Sequence, residues 1–312
     1  MVLTITMNPA IDMSYNMNEL LIDKSNRVQT SQLNRSAGGK GINVARVLKV
    51  AGVPVNTTGI VGGMTGEIIV RECERMGLNP DFLEIEKPSR YCLAILHGGN
   101  QTEILESGEA ITQSMENEFL NHYEKLLKSH DIISISGSTL PGTSDDLYTK
   151  MIALTSGMSK KVLLDASGLQ LKNVLLSKYK PFCIKPNMEE LESLIGEKVE
   201  NSNEGIKQVL DYDLFSDIPL IIVSRGKDGG LAKVKNKYYA LNIPKVKVLN
   251  PVGSGDSTVA GIIDGLVRNL DTPELLKNAM LFGILNAMEN ETGMISLKHK
   301  NTINEKILIK EI

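Results

Sequence analysis

Val2, Leu3, Ile5 and Met7 alternate with threonines and stop at Asn8-Pro9, a period of two that predicts a first β-strand. Residues 10–36 carry no helical periodicity and read as extended, solvent-edged strands. Helical spacing then begins at Ile42 and continues through Val44, Ala45, Leu48 and Ala51 to Gly52, after which Val53 to Val61 regains strand character. Further along, helices are expected at 68–76, 115–127, 145–154, 188–195 and 204–215, and strands at 131–136, 162–165, 182–185 and 220–224. Tyr91 to Leu96 and Glu103 to Leu105 form a hairpin around Gly98-Gly99-Asn100.

Strands that are apolar almost throughout, separated by helices of 10–15 residues, predict a sheet buried on both faces. Parallel neighbours need crossover connections, so the expected fold class is α/β, a doubly wound and mostly parallel sheet with helices on both faces. Residues 10–36 and 90–107 are strand-like without crossover helices, and are expected to form a small β-sheet lid on one large domain spanning 1–312.

Composition narrows the function. Of 312 residues, 42% are hydrophobic and 23% charged, which is ordinary globular usage and excludes disordered and fibrous classes. Lys plus Arg number 34 and Asp plus Glu 37, so the net charge of -3 gives no support to a nucleic-acid partner. Cys73, Cys92 and Cys183 are odd in number and far apart, which argues for a reducing, cytoplasmic setting rather than a disulfide framework. The N-terminus lacks a basic region followed by a long apolar run, and no apolar stretch is long enough to span a membrane, so neither export nor a membrane is expected.

Ligands of open parallel sheets bind beyond the carboxyl ends of the strands, so the loops there are the place to look for chemistry. Ala37-Gly38-Gly39-Lys40-Gly41-Ile42-Asn43 enters a helix with glycines that permit close backbone approach and leave amides exposed for an anionic or hydroxyl-rich ligand. It matches neither the P-loop nor the dinucleotide fingerprint, which disfavours a dehydrogenase. Asn250-Pro251-Val252-Gly253-Ser254-Gly255-Asp256 precedes the apolar helical run 259–267. Gly253, Ser254 and Gly255 would aim amides at one point as an anion hole, beside a carboxylate able to accept a hydroxyl proton. The same pattern also fits an aspartate that only caps a helix. Asn187 and Glu190, in Lys185-Pro186-Asn187-Met188-Glu189-Glu190, share one face of a helix start. They could hold a hydrated magnesium ion or serve as an ordinary cap. Arg27 and Arg90, in the lid, are candidate phosphate ligands. Ser224 to Gly230 reads as a turn into a following strand, and His97, His122, His130 and His299 lack metal-ligand spacing and read as surface residues.

AGGKGINVA at 37–45, KPNMEE at 185–190 and NPVGSGDSTVAG at 250–261, in that order and spacing, resemble the ribokinase-like PfkB carbohydrate kinases. The resemblance runs from the first strand to the final helices. TMNPAIDMS, RYCLAILHGGNQTEILESG and LNPVGSGDSTVAG are most similar to the family members that act on tagatose 6-phosphate in lactose and galactose breakdown. It implies ATP-dependent, magnesium-assisted phosphorylation of the C1 hydroxyl of D-tagatose 6-phosphate, with Asp256 as base and Gly253, Ser254 and Gly255 as anion hole. It further implies that Asp12, Gly38, Gly39, Lys40 and Asn43 face the sugar, and that Arg27, Arg90 and Ser138 take its phosphate. Lys185, Ser224, Gly226, Gly229 and Asn286 would contact the nucleotide, Asn187 and Glu190 would organise magnesium, and two chains would pair through their lids. The alternatives are a 1-phosphofructokinase or broad ketohexose-phosphate kinase, and a sugar-phosphate-binding regulator without catalysis.

Overall fold

A computed structural model describes residues 1–312. The first strand, β1 (Val2–Thr6), is buried along its length: Thr4 and Thr6, which alternate with its apolar residues, are buried as well because helices cover both faces of the sheet. The lid region follows as β2 (Ala10–Met17) and β3 (Leu33–Gly38), the stretch between them forming a loop with one 3₁₀ turn rather than continuous strand. Helix α1 (Lys40–Val50) begins two residues before its apolar stripe, so Gly41, Ile42 and Asn43 belong to its first turn. Next come β4 (Val55–Gly62) and α2 (Gly63–Arg75), the latter starting five residues earlier than its periodicity suggests. Two short strands, β5 (Asn79–Pro80) and β6 (Leu83–Ile85), lead to β7 (Arg90–His97) and β8 (Asn100–Leu105). Gly98 and Gly99 both take positive φ (53° and 81°), which the two-residue turn joining β7 to β8 demands.

The α/β alternation continues as α3 (Gln113–Leu127), β9 (Ile132–Ser136), α4 (Leu147–Ala153), β10 (Lys161–Asp165), α5 (Gly168–Leu176) and β11 (Cys183–Ile184). Then come α6 (Met188–Ile195), α7 (Asn203–Leu210), β12 (Leu220–Ser224), β13 (Gly230–Val234) and β14 (Lys237–Asn242). The predicted helix 204–215 breaks after Leu210 and resumes only as a 3₁₀ turn at Asp213–Phe215. The chain closes with α8 (Ser254–Val267), α9 (Thr272–Ala287), α10 (Lys300–Asn304) and β15 (Leu308–Glu311). Helix α9 escapes an amphipathic search because it is apolar almost all round, and it is correspondingly buried.

Ten strands run β15-β14-β13-β12-β11-β10-β9-β1-β4-β5, with β6 also on β4; β5 to β12 pair in parallel and β13 to β15 antiparallel. From β1 the chain goes first to β4 on one side and later to β9 on the other, so the strand order reverses at β1 and opens a crevice at its carboxyl end. Adjacent residues of one strand face opposite cores: Val2 and Ile132 pack with α1, α8 and α9, whereas Leu3 and Ile133 pack with α3 to α7. A separate four-stranded sheet, β3-β2-β7-β8, stands beside the main one. Of the four histidines, His130 is not at the surface: it is 1% exposed and its Nδ1 lies 2.7 Å from the Leu126 carbonyl at the end of α3. No helix is long and apolar enough to cross a membrane.

Candidate active site

A cleft of about 2430 Å³ lies where the carboxyl ends of β1, β9, β10, β11 and β12 meet the small sheet. At its floor, α8 starts from Gly253, whose φ of 83° suits glycine. A β-carbon there would fall 2.7 Å from the Gly293 nitrogen, so the turn is also too tight for a side chain. The N–H groups of Gly253, Gly255 and Asp256 have no acceptor within the protein, as expected for helix-terminal donors facing a ligand site, whereas the Ser254 N–H expected beside them is taken by the Pro251 carbonyl at 3.2 Å, so Asp256 stands in its place among the free amides.

The Asp256 side chain is 6% exposed, and its Oδ2 accepts a 2.8 Å hydrogen bond from Asn43 Nδ2. Burial pushes its carboxyl up to about 6, helped by the neighbouring Asp165 carboxylate, while Lys40, the Asn43 donor and Lys185 pull the other way. A carboxylate in that range can both give and take a proton near neutral pH.

Asp165, which ends β10, is the central acid of the floor and one that sequence patterns hid. It is 4% exposed, with Lys40 Nζ 3.4 Å from one oxygen and Lys185 Nζ 3.5 Å from the other. Burial would raise its proton affinity, but the two lysines outweigh burial and hold the carboxyl below its ordinary value. The Lys40 ammonium is lifted in return: burial opposes its charge, and Asp165, Asp256 and Glu190 more than restore it. Lys40 thus points across the floor toward Asp165 and Glu190 (4.0 Å) as well as lining the cleft. Lys185 reaches the start of α8, its Nζ 3.3 Å from where a β-carbon on Gly255 would sit.

The small sheet supplies Asp12, Arg90 and the edge of the glycine loop. Burial raises the Asp12 carboxyl to about 6 against the pull of Arg46 and Arg90. Gly38 is packed against that carboxylate, since a β-carbon on it would lie 2.0 Å from Asp12 Oδ2. The Arg90 guanidinium donates to the Asn8 and Glu106 carbonyls, at the base of the small sheet, and faces the cleft. Arg46, missed because it sits within the apolar stripe of α1, is 8% exposed and ties the Ala37 carbonyl (2.6 Å) to the Thr292 carbonyl (2.7 Å).

Gly39, Asn43, Ser138, Asn187, Glu190, Ser224, Gly226 and Gly229 also reach the cleft wall, so the candidates from all three motifs converge on one site. Gly229 (φ 78°) lets the Ser224–Gly230 turn approach the Leu241 carbonyl, to which a β-carbon would come within 1.9 Å. Three candidates do not line the cleft. Arg27 is exposed on the β2–β3 loop, and Gly38 lies behind Asp12. Asn286 is wholly buried: it donates to the Val252 carbonyl (2.9 Å) and accepts from Gly293 N (2.9 Å) and Ser257 Oγ (3.0 Å), so it braces the Gly253 turn from beneath.

Asn187 and Glu190 form a reciprocal helix cap: Asn187 Oδ1 accepts from Glu190 N (2.8 Å), and Glu190 Oε2 accepts from Asn187 N (2.9 Å). No cluster of three acidic, histidine or cysteine side chains is present to cage a metal. One Glu190 oxygen stays clear of the cap and faces the cleft beside Lys40, which fits an ion that keeps its water and is held mainly by ligand phosphates.

An α/β sheet that brings a buried carboxylate, two lysines and unpaired helix-terminal amides to one crevice defines a protein built to handle an anionic ligand next to a proton acceptor. The chain belongs to the pfkB family of carbohydrate kinases, whose family profile matches residues 1–298. It is 29% identical, over 100% of this chain and 99% of the other, to a Staphylococcus aureus protein provisionally assigned as a phosphofructokinase, with a TM-score of 0.84. The fold is shared with a Thermotoga maritima protein provisionally assigned as a 1-phosphofructokinase: TM-score 0.90, 23% identity, covering 100% of this chain and 99% of that one. It is shared also with Escherichia coli phosphofructokinase-2 solved with potassium: TM-score 0.87, 22% identity, covering 97% and 98%.

Proposed function

We propose that this carbohydrate kinase transfers the γ-phosphoryl group of ATP to the C1 hydroxyl of D-tagatose 6-phosphate, giving tagatose 1,6-bisphosphate. The observation that carries the reading is the buried Asp256 carboxylate set beside the unpaired amides at the start of α8. Asp256 takes the proton of the sugar hydroxyl, and the Gly253, Gly255 and Asp256 amides together with Lys185 steady the charge on the transferring phosphoryl. Ser254 shapes this turn through its carbonyl, which accepts from Thr258 Oγ1 (2.8 Å).

On the sugar side, Asp12, Gly39 and Asn43 grip hydroxyls, Gly38 supports Asp12, and Arg90 with Ser138 takes the existing phosphate. Arg27 is outside that clamp as the chain folds. On the nucleotide side, Ser224, Gly226 and Gly229 form a wall for ATP, and Asn286 acts through the turn it braces. Magnesium, when bound with the nucleotide, would offset phosphate charge, with Glu190 and the Asn187 cap that orients it as its protein partners. Closure of the small sheet excludes the water that would otherwise hydrolyse ATP. Exposed Ile104 (55%) and Leu105 (59%) on β8 support pairing of two chains through this sheet.

A fructose phosphate is the second reading, favoured by the phosphofructokinase assignment of the 29%-identical S. aureus relative. Coupled ATP turnover with tagatose 6-phosphate, fructose 6-phosphate, fructose 1-phosphate and ribose tests both. The highest kcat/KM is expected on tagatose 6-phosphate. A higher value on either fructose phosphate replaces the first reading with the second, and no turnover on any of them leaves a sugar-phosphate-binding regulator.

A further inference from the structure

We propose that Asn43 is a positioning residue for the transfer step: its amide nitrogen pins one oxygen of Asp256 and so leaves the other to face the reacting hydroxyl. This rests on Asp256 being the base, and it adds to sugar gripping a second task for the same side chain. Asn43 is 6% exposed; its Nδ2 donates to Asp256 Oδ2 at 2.8 Å, and its Oδ1 is buried without a partner in the protein. A buried amide oxygen left unpaired is costly unless a ligand completes it, and Asn43 lines the cleft.

The backbone fixes the geometry. Asn43 N donates to the Gly39 carbonyl at 3.0 Å, the first turn of α1, so the side chain is carried by the same loop that meets the sugar. Gly293, at φ 64°, closes over it: a β-carbon there would lie 2.8 Å from Asn43 Cβ and 3.0 Å from Asn43 Oδ1. Only a glycine at 293 therefore leaves Asn43 this place. With Oδ2 of Asp256 held, its other oxygen carries no hydrogen bond and is the one able to accept the proton. The base is thereby oriented by a third group, as nucleophilic and acid–base sites generally require. The charged groups that bear on Asp256 from the surrounding elements are Asp165 on β10, Lys40 on α1 and Lys185 after β11.

Asn43→Asp separates positioning from gripping. It keeps the size and an acceptor oxygen but replaces the donor with a carboxylate facing Asp256. Carboxyl ¹³C NMR of the unliganded protein should show the Asp256 titration displaced to higher pH, its proton affinity up at least about tenfold. The acid limb of kcat should move with it, and kcat at pH 7 should fall at least about twofold while the sugar KM changes little. An unmoved Asp256 titration with a raised sugar KM would make Asn43 a sugar ligand alone and overturn the proposal. Asn43→Ala, which removes the donor without adding charge, should move the titration the same way by less, and serves if the aspartate variant does not fold. The NMR titration uses no substrate, so it decides the Asn43 contact even if the wild-type protein phosphorylates none of the sugars tried.

Discussion

Asp256→Asn removes the proposed base without removing its packing, because asparagine keeps an oxygen to accept the Asn43 donor. Turnover should fall by about 10²–10⁴, the usual span for loss of a general base. The same change should make the protein more stable. The carboxyl stands at about 6 in the folded chain against an ordinary 3.8, a rise that corresponds to about 3 kcal/mol of folding free energy lost once both states are ionised. A group whose proton affinity is raised by folding contributes stability below its unfolded value and loses it as pH climbs through its folded value. The advantage of the variant should therefore be nearly absent below pH 3.8, build up to about pH 6, and stay level above. For a chain of this length, 3 kcal/mol corresponds to roughly 5 °C in melting temperature. Thermal melts of both proteins at pH 8 and pH 4, alongside coupled turnover, measure the two effects together. Wild-type turnover in the variant, or a lower melting temperature at pH 8, would refute the assignment of Asp256 as a buried, strained base.

Two further changes probe the floor and the anion hole. Asp165→Asn leaves Lys185, 6% exposed, without its carboxylate and should cost about 3–5 kcal/mol. It should also shift the acid limb of turnover to lower pH, because Asp165 is one of the groups that raise Asp256; an unchanged melting curve would show that the lysines do not depend on it. Gly253→Ala meets both a φ of 83° and a 2.7 Å approach to Gly293 N. It should destabilise by about 1–2 kcal/mol and lower kcat by about 10²–10³ through the displaced amides; kcat within twofold of wild type would argue against the anion hole.

Much of the fold was legible because the main strands are short, buried on both faces and separated by helical spacing, so β1, β9, β10 and β12 and the helix Met188–Ile195 follow from periodicity. Elements without contrast were not. Helix α9 is apolar almost all round, and β14 was not anticipated, although the turn Ser224–Gly230 did announce β13. The glycine loops and Asp256 stood out through local composition, and the structure brings them to one crevice. Asp165 did not, since an acid at the end of a buried strand matches no short motif; its position at the carboxyl end of β10 was the available signal.

The chain itself determined the order of strands and helices, the glycine turns and the identity of the acid at the head of α8, because these depend on neighbours within a few residues. Tertiary structure alone decided that Asn43 meets Asp256 across 213 positions, that Asp165 lies between Lys40 and Lys185, and that Asn286 supports the Gly253 turn instead of facing the cleft. Those relations arise where strand order reverses at β1 and distant loops are pressed into one low-dielectric crevice, in which burial and a few charges set each proton affinity.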